Sequence, residues 1–250
     1  MVLTKRVLLL VFLMLCFATM NSAPSGASDL TDALKLRDVA KVRSLLEAGA
    51  DANEMVRRDY PLNIAATYGP AEMVTILLEA GAGLEQPGRD GLQPMHNAVL
   101  SGHKDIVALL IQKGAIVDAK EKLGRTPLVN FAARAGNDIE IPKMLLAAGA
   151  DPNIGSAKSD DGHSALQYAA ETGNLELVKL LIAAHADVNY RNAYGWTPLH
   201  QAIENARPEI ARLLIAHGAD ANLENKLGET PLELATDPEM KQIMLSAGVN

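Results

Sequence analysis

The chain is poor in cysteine, in aromatic residues and in positive charge. These shortages limit the classes of fold and function to which the protein can belong. Only one of its 250 residues is cysteine, so disulfides within the chain cannot organise the fold. Aromatic residues make up 4% of the chain, but hydrophobic residues make up 48%, which argues against a largely disordered protein. The formal net charge of −7 argues against a nucleic-acid-binding protein, because such proteins need a basic face to neutralise phosphates.

The first 27 residues have the layout of a secretory signal peptide. Lys5 and Arg6 precede an uncharged, mostly apolar stretch, and small residues follow it, which predicts cleavage before Ser28. The alternative is an uncleaved membrane anchor. Residues 7–20 span only 14 positions, however, whereas a membrane-spanning helix needs roughly 20. We therefore predict a signal peptide over residues 1–27.

The single cysteine lies inside this leader, so the exported chain over residues 28–250 is expected to contain none. Cys16 could be a lipidated cysteine, but Leu15 precedes it where a lipoprotein signal has a small residue. We interpret it as one more apolar residue of the leader. Removing the two basic residues of the leader takes the net charge from −7 to −9. Export without cysteine fits a bacterial periplasm better than a eukaryotic secretory route.

A repeated pattern runs through the rest of the chain, from Asp29 onward. A Thr-Pro-Leu-like triplet recurs at spacings of 33, 33, 38, 33 and 33 residues, and a Gly-Ala-Asp-like element recurs in phase with it. The triplets begin at Tyr60, Gln93, Thr126, Ser164, Thr197 and Thr230. Two independent markers in one register exclude a chance match.

This pattern resembles the ankyrin-repeat family over roughly Asp29 to Asn250. The segments Gly195 to His200 and Gly218 to Asn222 match the family motif almost residue by residue. The resemblance implies an all-α solenoid of paired antiparallel helices with hairpin-like loops. Local chemistry agrees, because Thr caps a helix, Pro suits its first position and left-handed Gly ends it. We expect about seven units, of which the first and last act as caps.

Two departures from the pattern are expected to matter. The 38-residue spacing lengthens a polar loop over residues 154–163, which is either a harmless insertion or a finger that contacts a partner. His185 replaces the glycine that ends the second helix of a unit, and we expect this replacement to cost some stability.

The sequence offers little for catalysis or metal binding. None of the six histidines forms a pair at metal-ligand spacing, and the repeat register accounts for all of them. These residues are His96, His103, His163, His185, His200 and His217. For His96 and His200 the resemblance implies hydrogen bonds between neighbouring loops. No phosphate-binding glycine loop or catalytic triad is indicated, so we predict no enzyme activity, no cofactor and no metal.

The remaining candidate is a protein-binding surface. The resemblance implies that loop tips and first-helix edges form a concave face, and Trp, Tyr and Arg dominate protein interfaces. We predict that the partner-binding residues are Tyr190, Arg191, Tyr194, Trp196, Tyr168, Arg89, Arg125 and Arg134. Further cations on the face are Arg57, Arg58, Lys120 and Lys122, and further polar residues are Glu171, Glu204 and Asn205. The alternative is a solvated charged face whose aromatic residues pack on a neighbouring loop.

Together these observations predict an exported, monomeric, non-catalytic protein-binding module. Its expected partner is a protein with an acidic surface, without nucleic acid and, after signal cleavage, without a membrane. The module would be an inhibitor or immunity-type protein, or an accessory protein for an envelope enzyme. An enzyme or small-ligand binder with an unrecognised site, and a membrane-tethered structural spacer, stay open as alternatives.

Overall fold

The computed structural model describes residues 26–136, 138–157 and 161–246. Most of the predicted signal peptide therefore lies outside the described residues, as do three positions of the lengthened loop. None of the helices in the described part has the length and apolar composition needed to cross a membrane.

The described chain folds into seven successive pairs of short helices. The first four pairs are α1 (Gly26–Lys35) with α2 (Val39–Glu47), α3 (Pro61–Tyr68) with α4 (Ala71–Glu79), α5 (Pro94–Ser101) with α6 (Lys104–Gln112), and α7 (Pro127–Ala133) with α8 (Glu140–Ala147). The last three are α9 (Ala165–Thr172) with α10 (Leu175–Ala183), α11 (Pro198–Glu204) with α12 (Pro208–Ala216), and α13 (Pro231–Leu234) with α14 (Pro238–Ser246). Hairpin-like loops join one pair to the next.

The helices begin and end where the motif predicts. The hydroxyl of Thr126 accepts the backbone N–H of Val129 and so caps α7, with proline following at the first helical position. At the end of α10, His185 takes the left-handed conformation with φ of 62°, where the corresponding Gly114 after α6 has φ of 84°. A side chain with a β-carbon is strained in that conformation, which is the physical basis of the predicted cost.

The pairs stack in one direction and share one continuous apolar core. The first helix of each pair packs on the first helices of its neighbours, and the second helices pack on one another. The hydrophobic residue at the third motif position is almost fully buried in five successive units, at Leu62, Met95, Leu128, Leu166 and Leu199. The predicted all-α solenoid is confirmed, because no single pair could bury these faces alone.

A row of side-chain hydrogen bonds joins neighbouring units at the fourth motif position. Each bond runs to the backbone carbonyl just before the next triplet. The bonds are Asn63 Nδ2 to Leu92 O at 2.7 Å, His96 Nε2 to Arg125 O at 3.2 Å, Gln167 Nε2 to Trp196 O at 2.7 Å, and His200 Nε2 to Glu229 O at 3.2 Å. The role expected for the two histidines is confirmed. Val129 occupies the same position in the unit of α7 and carries no donor.

The described parts of the lengthened loop are tied to the hairpins on both sides. The N–H of Ser156 donates to His163 O at 2.9 Å, closing the base of the loop. The N–H of Ala157 donates to Leu123 O in the preceding hairpin at 2.7 Å. The carbonyl of Asp161 accepts the N–H of Ala193 in the following hairpin at 2.8 Å. The loop therefore continues the stack of hairpins.

Candidate protein-binding face

Two aromatic residues predicted for the site, Tyr194 and Trp196, lie together in an open groove near the C-terminal end of the stack. The groove has a volume of about 370 Å³ and is formed by α9, α11 and the hairpins that precede them. We call it the C-terminal groove; its lining residues are Asp161, His163, Glu171, Asn192, Tyr194, Trp196, Gln201, Glu204 and Asn205. Glu171, Glu204 and Asn205, which the sequence analysis assigned to the same face, line this groove together with the two aromatic residues.

Asn192 holds the two aromatic residues in place. Its Oδ1 accepts the backbone N–H groups of Tyr194 and Trp196, both at 2.9 Å. Tyr194 is 55% exposed at the hairpin tip, and its hydroxyl donates to the Asp161 carboxylate, which raises the pKa of Tyr194. Trp196 lies past the tip, partly buried, with its ring centroid 5.8 Å from that of His200. The backbone of Trp196 belongs to the segment that enters α11.

Tyr168 and Arg125 extend the groove toward the preceding units through a stack of side chains. The ring of His163 lies over Tyr168 with 4.9 Å between centroids, and the Arg125 guanidinium lies 5.6 Å from the Tyr168 ring centroid. His163 is buried, and Gln201 Nε2 lies 2.8 Å from its Nε2. Because the amide can only donate, His163 Nε2 acts as the acceptor. Sequence reasoning placed His163 only in the long loop and missed this supporting role.

Tyr190 and Arg191 are held by contacts within the chain and do not line the C-terminal groove. Tyr190 packs against Gly155 of the lengthened loop so closely that a β-carbon on Gly155 would collide with its hydroxyl. Burial raises the pKa of Tyr190. The Nη2 of Arg191 donates to the carbonyl of Glu224 in the next hairpin at 2.6 Å. Both side chains brace neighbouring hairpins.

The predicted cations line different parts of the surface. Arg134 ends α7 and lies in a separate depression beside Phe131 and Asp138. Arg89 lines an open groove at the other end of the stack, with a volume of about 290 Å³. We call this the N-terminal groove; it is lined by Lys35, Val56, Arg57, Asp59, Asn63, Ile64, Thr67, Tyr68, Arg89, Leu92 and Asn97. Lys120 and Lys122 are exposed on the hairpin between the two grooves.

Sequence reasoning missed Lys35 and Tyr68 in the N-terminal groove, although the repeat register contains the signal. Both residues end the first helix of their unit, as Arg134 and Asn205 follow the first helix of theirs. Since Arg134 and Asn205 were assigned to the face by register, the same register assigns Lys35 and Tyr68. Within residues 26–136, 138–157 and 161–246, no group of three or more His, Cys, Asp or Glu side chains is arranged to hold a metal ion.

Comparison with known proteins agrees with this architecture. The sequence model of a family described as ankyrin repeats in three copies matches residues 30–121, 62–156, 130–225 and 166–249. The chain belongs to the ankyrin-repeat family. Ankyrin repeats indicate a protein–protein interaction module. The crystal structure of the ankyrin repeat domain of Bcl-3 is similar, with a TM-score of 0.77 at 26% identity, covering 87% of this chain and 97% of that one.

Similar sequences occur in much longer proteins. Ankyrin repeat protein nuc-2 of Neurospora crassa is 39% identical over 57% of this chain, and Rabankyrin-5 of Homo sapiens is 31% identical over 74%. A B-cell lymphoma 3 protein homolog of Mus musculus is 33% identical over 63% of this chain. The matches cover 13%, 16% and 36% of these relatives, respectively. The human ASB11 ankyrin repeat domain, at 24% identity and a TM-score of 0.76, shows the same fold.

Proposed function

We propose that this ankyrin-repeat chain is an exported, non-catalytic module that binds a partner protein on its concave face. The observation that carries the proposal is the pairing of Tyr194 and Trp196 in the C-terminal groove, where Asn192 fixes the backbone of both. Tyrosine and tryptophan are enriched among the residues that contribute most to protein interfaces. A groove held rigid before binding also lowers the entropic cost of association.

The charge of the C-terminal groove indicates what it receives. Asp161, Glu171 and Glu204 line it together with the two aromatic residues. A lysine or arginine side chain of the partner would gain from both the carboxylates and the faces of the rings. The partner is proposed to present an acidic region as well, facing the cations of the preceding units, among them Arg89 and Arg125.

The location and biological role are proposed from the leader. The basic, apolar and small-residue succession in residues 1–27 supports export to the periplasm and release from the membrane by cleavage. There the monomeric module would act as an inhibitor or immunity-type protein, or as an accessory protein for an envelope enzyme. A 1:1 complex that abolishes the partner's activity would favour the inhibitor.

The first test is affinity capture from an envelope fraction with residues 28–250 as bait. The Tyr194→Ala, Trp196→Ala double variant is compared with Leu227→Ala. Leu227 is 81% exposed and occupies the hairpin position of Tyr194 one unit later, so it is a matched control. A protein retained by the wild type and by Leu227→Ala but lost by the double variant supports the proposal. Failure of the wild type to retain any protein would contradict it.

With the partner in hand, Trp196→Ala is expected to weaken binding by about 2 kcal/mol or more, as removal of a central aromatic anchor does. Isothermal titration calorimetry measures the loss. Urea unfolding of the same variant shows whether the fold is intact, since Trp196 also contacts His200. An intact variant with wild-type affinity would exclude Trp196 as an anchor.

A further inference from the structure

The first hairpin ends in two arginines whose backbone conformation favours glycine. Val56 and Asp59 exchange two backbone hydrogen bonds, of 2.9 and 3.1 Å, and so close a two-residue turn. The residues between them, Arg57 and Arg58, have φ of 53° and 72°. Turns of this kind need positive φ at both central positions, which is why Asn-Gly and Asp-Gly are the usual choices.

The later hairpins obey that preference at the position of Arg58. The residues in register with it all have positive φ and are all glycine: Gly91, Gly124, Gly162, Gly195 and Gly228. The residues in register with Arg57 include Asp90 and Asp161, a residue type that tolerates this conformation. The first hairpin tip therefore has two arginines in a strained backbone conformation, whereas the later tips have glycine at the position of Arg58 and avoid that strain. Strain of this sort persists at sites that bind ligands.

The cationic side chains next to this tip form no ion pair within the part of the chain that the structure describes. Lys35, Arg57 and Arg89 all line the N-terminal groove, and none forms an ion pair among the described residues. The groove contains a single carboxylate, that of Asp59, whose Oδ1 accepts the backbone N–H of Arg89 at 3.0 Å. Three cations against one carboxylate make this groove positive, although the chain as a whole carries a net charge of −7.

The cations of the groove belong to successive units of the stack. A ligand that pairs with Lys35, Arg57 and Arg89 together must therefore carry several anionic groups along its length. The carboxylates of an acidic peptide meet this requirement, whereas a single phosphate or phosphodiester offers one anionic group. Asn63 also lines the groove, but it is only 1% exposed and its Nδ2 donates to the Leu92 carbonyl at 2.7 Å. The groove therefore recognises its ligand mainly by charge.

We propose that the N-terminal groove binds an acidic, extended segment of the partner protein. Carboxylates of that segment pair with Lys35, Arg57 and Arg89. The half-exposed ring of Tyr68 forms part of the wall. This inference rests on the proposed function and adds the chemistry of the partner. The N-terminal groove belongs to different units from those that carry Tyr194 and Trp196.

The test uses a fluorescein-labelled deca-glutamate peptide, with binding followed by fluorescence anisotropy at low salt. The test variant is Arg57→Asn, Arg58→Gly, which restores the usual turn residues. The matched control is Lys113→Gln, Lys241→Gln, which removes the same charge at two exposed positions outside the groove. We expect the test variant to lose at least tenfold in affinity while its urea midpoint rises, and the control to stay within twofold of the wild type. Greater stability of this variant together with weaker peptide binding is expected if the native protein tolerates the strained turn because its arginines bind the ligand.

Three results would overturn the inference. The first is failure of the wild type to bind the peptide. The second is an equal loss of affinity in the two double variants, which would mean that only the net charge of the chain controls binding. Binding of phosphatidylglycerol vesicles in place of the peptide would assign the groove to a membrane surface. The Tyr194→Ala, Trp196→Ala variant should bind the peptide normally. If a partner is captured through this aromatic pair but the peptide does not bind, the inference is wrong and the proposed function stands. If the peptide binds but no partner is captured, the proposed function is wrong and the peptide-binding groove stands.

Discussion

His96 and His200 occupy the same motif position in different units and make the same two hydrogen bonds. In each ring Nδ1 accepts a backbone N–H at the start of its own helix, that of Gln93 at 3.2 Å or of Thr197 at 3.1 Å. Nε2 then carries the proton and donates to a carbonyl of the next unit. A doubly protonated ring would lose the first bond, so the joint between units depends on neutral histidine.

Burial lowers the pKa of both rings, and its effect on the pKa is larger than that of the nearby charges. Those charges are Glu121 beside His96, and Arg191 and Glu229 beside His200. A histidine whose folded pKa lies below its unfolded value of about 6.5 stabilises the fold above that pH. The contribution is lost as the pH falls from there through the folded value. Acidification from pH 8 to pH 5 should therefore weaken the joints between units.

The His96→Gln, His200→Gln double variant should reduce this pH dependence. Gln167 already makes the equivalent bond in a neighbouring unit, from its Nε2 to Trp196 O. At pH 8 we expect the variant to stay within about 1 kcal/mol of the wild type, because the bond is kept. Urea unfolding at several pH values measures the free energy of unfolding. If the loss between pH 8 and pH 5 equals that of the wild type, other groups control the acid sensitivity.

At the scale of single elements, the lengthened loop is the main departure from the regular repeat. Its backbone bonds to the hairpins on both sides, through Ala157 to Leu123 and Asp161 to Ala193, show why the extra residues leave the stack intact. Gly155 allows this course, because a β-carbon at this position would collide with the hydroxyl of Tyr190. Tyr190 therefore helps to position the loop.

Gly155→Ala should destabilise the protein, since its β-carbon would collide with the Tyr190 hydroxyl. Overpacking of this kind typically costs about 1–3 kcal/mol. Tyr190→Phe removes the hydroxyl, so the combined variant should lose less stability than the sum of the single changes. Urea unfolding of the four proteins completes the double-mutant cycle. Strict additivity would mean that the two residues do not contact each other in solution.

At the scale of the whole molecule, stability comes from a row of interfaces between neighbouring units. Inner units contact a neighbour on both sides, whereas the unit of α13 and α14 packs on the pair before it. The helix α13 has only four residues, and its Leu232 and Leu234 are partly buried. Because this unit begins with a short helix and packs on the pair before it, it should open locally more readily than the inner units.

Hydrogen exchange followed by mass spectrometry should reveal this gradient along the stack. We expect backbone amides of α13 and α14 to exchange at least tenfold faster than those of α9 and α11, whose units are packed on both sides. Exchange of all these helices at one common rate would contradict the gradient. It would mean that the whole array opens as a single cooperative unit.

Much of the fold could be predicted because ankyrin architecture is local and periodic. The triplets beginning at Thr126 and Thr197 predict helix starts that the structure confirms. The bonds between loops that the family resemblance implied for His96 and His200 are also present. The candidate site was predictable in part. Tyr194 and Trp196 do share a groove with Glu171 and Glu204, but Tyr190, Arg191 and Arg134 point to other contacts.

The residue pattern is sufficient to predict the number of units and the starts of the helices that follow the triplets, since each depends on neighbours within one repeat. The leader-like composition of the first residues is likewise read from residue types alone. Which side chains share a groove depends instead on how the units stack. Lys35, Arg57 and Arg89 come from three successive units and meet only because the stack aligns them. The strain at Arg58 is likewise a property of backbone angles, which residue types alone do not specify.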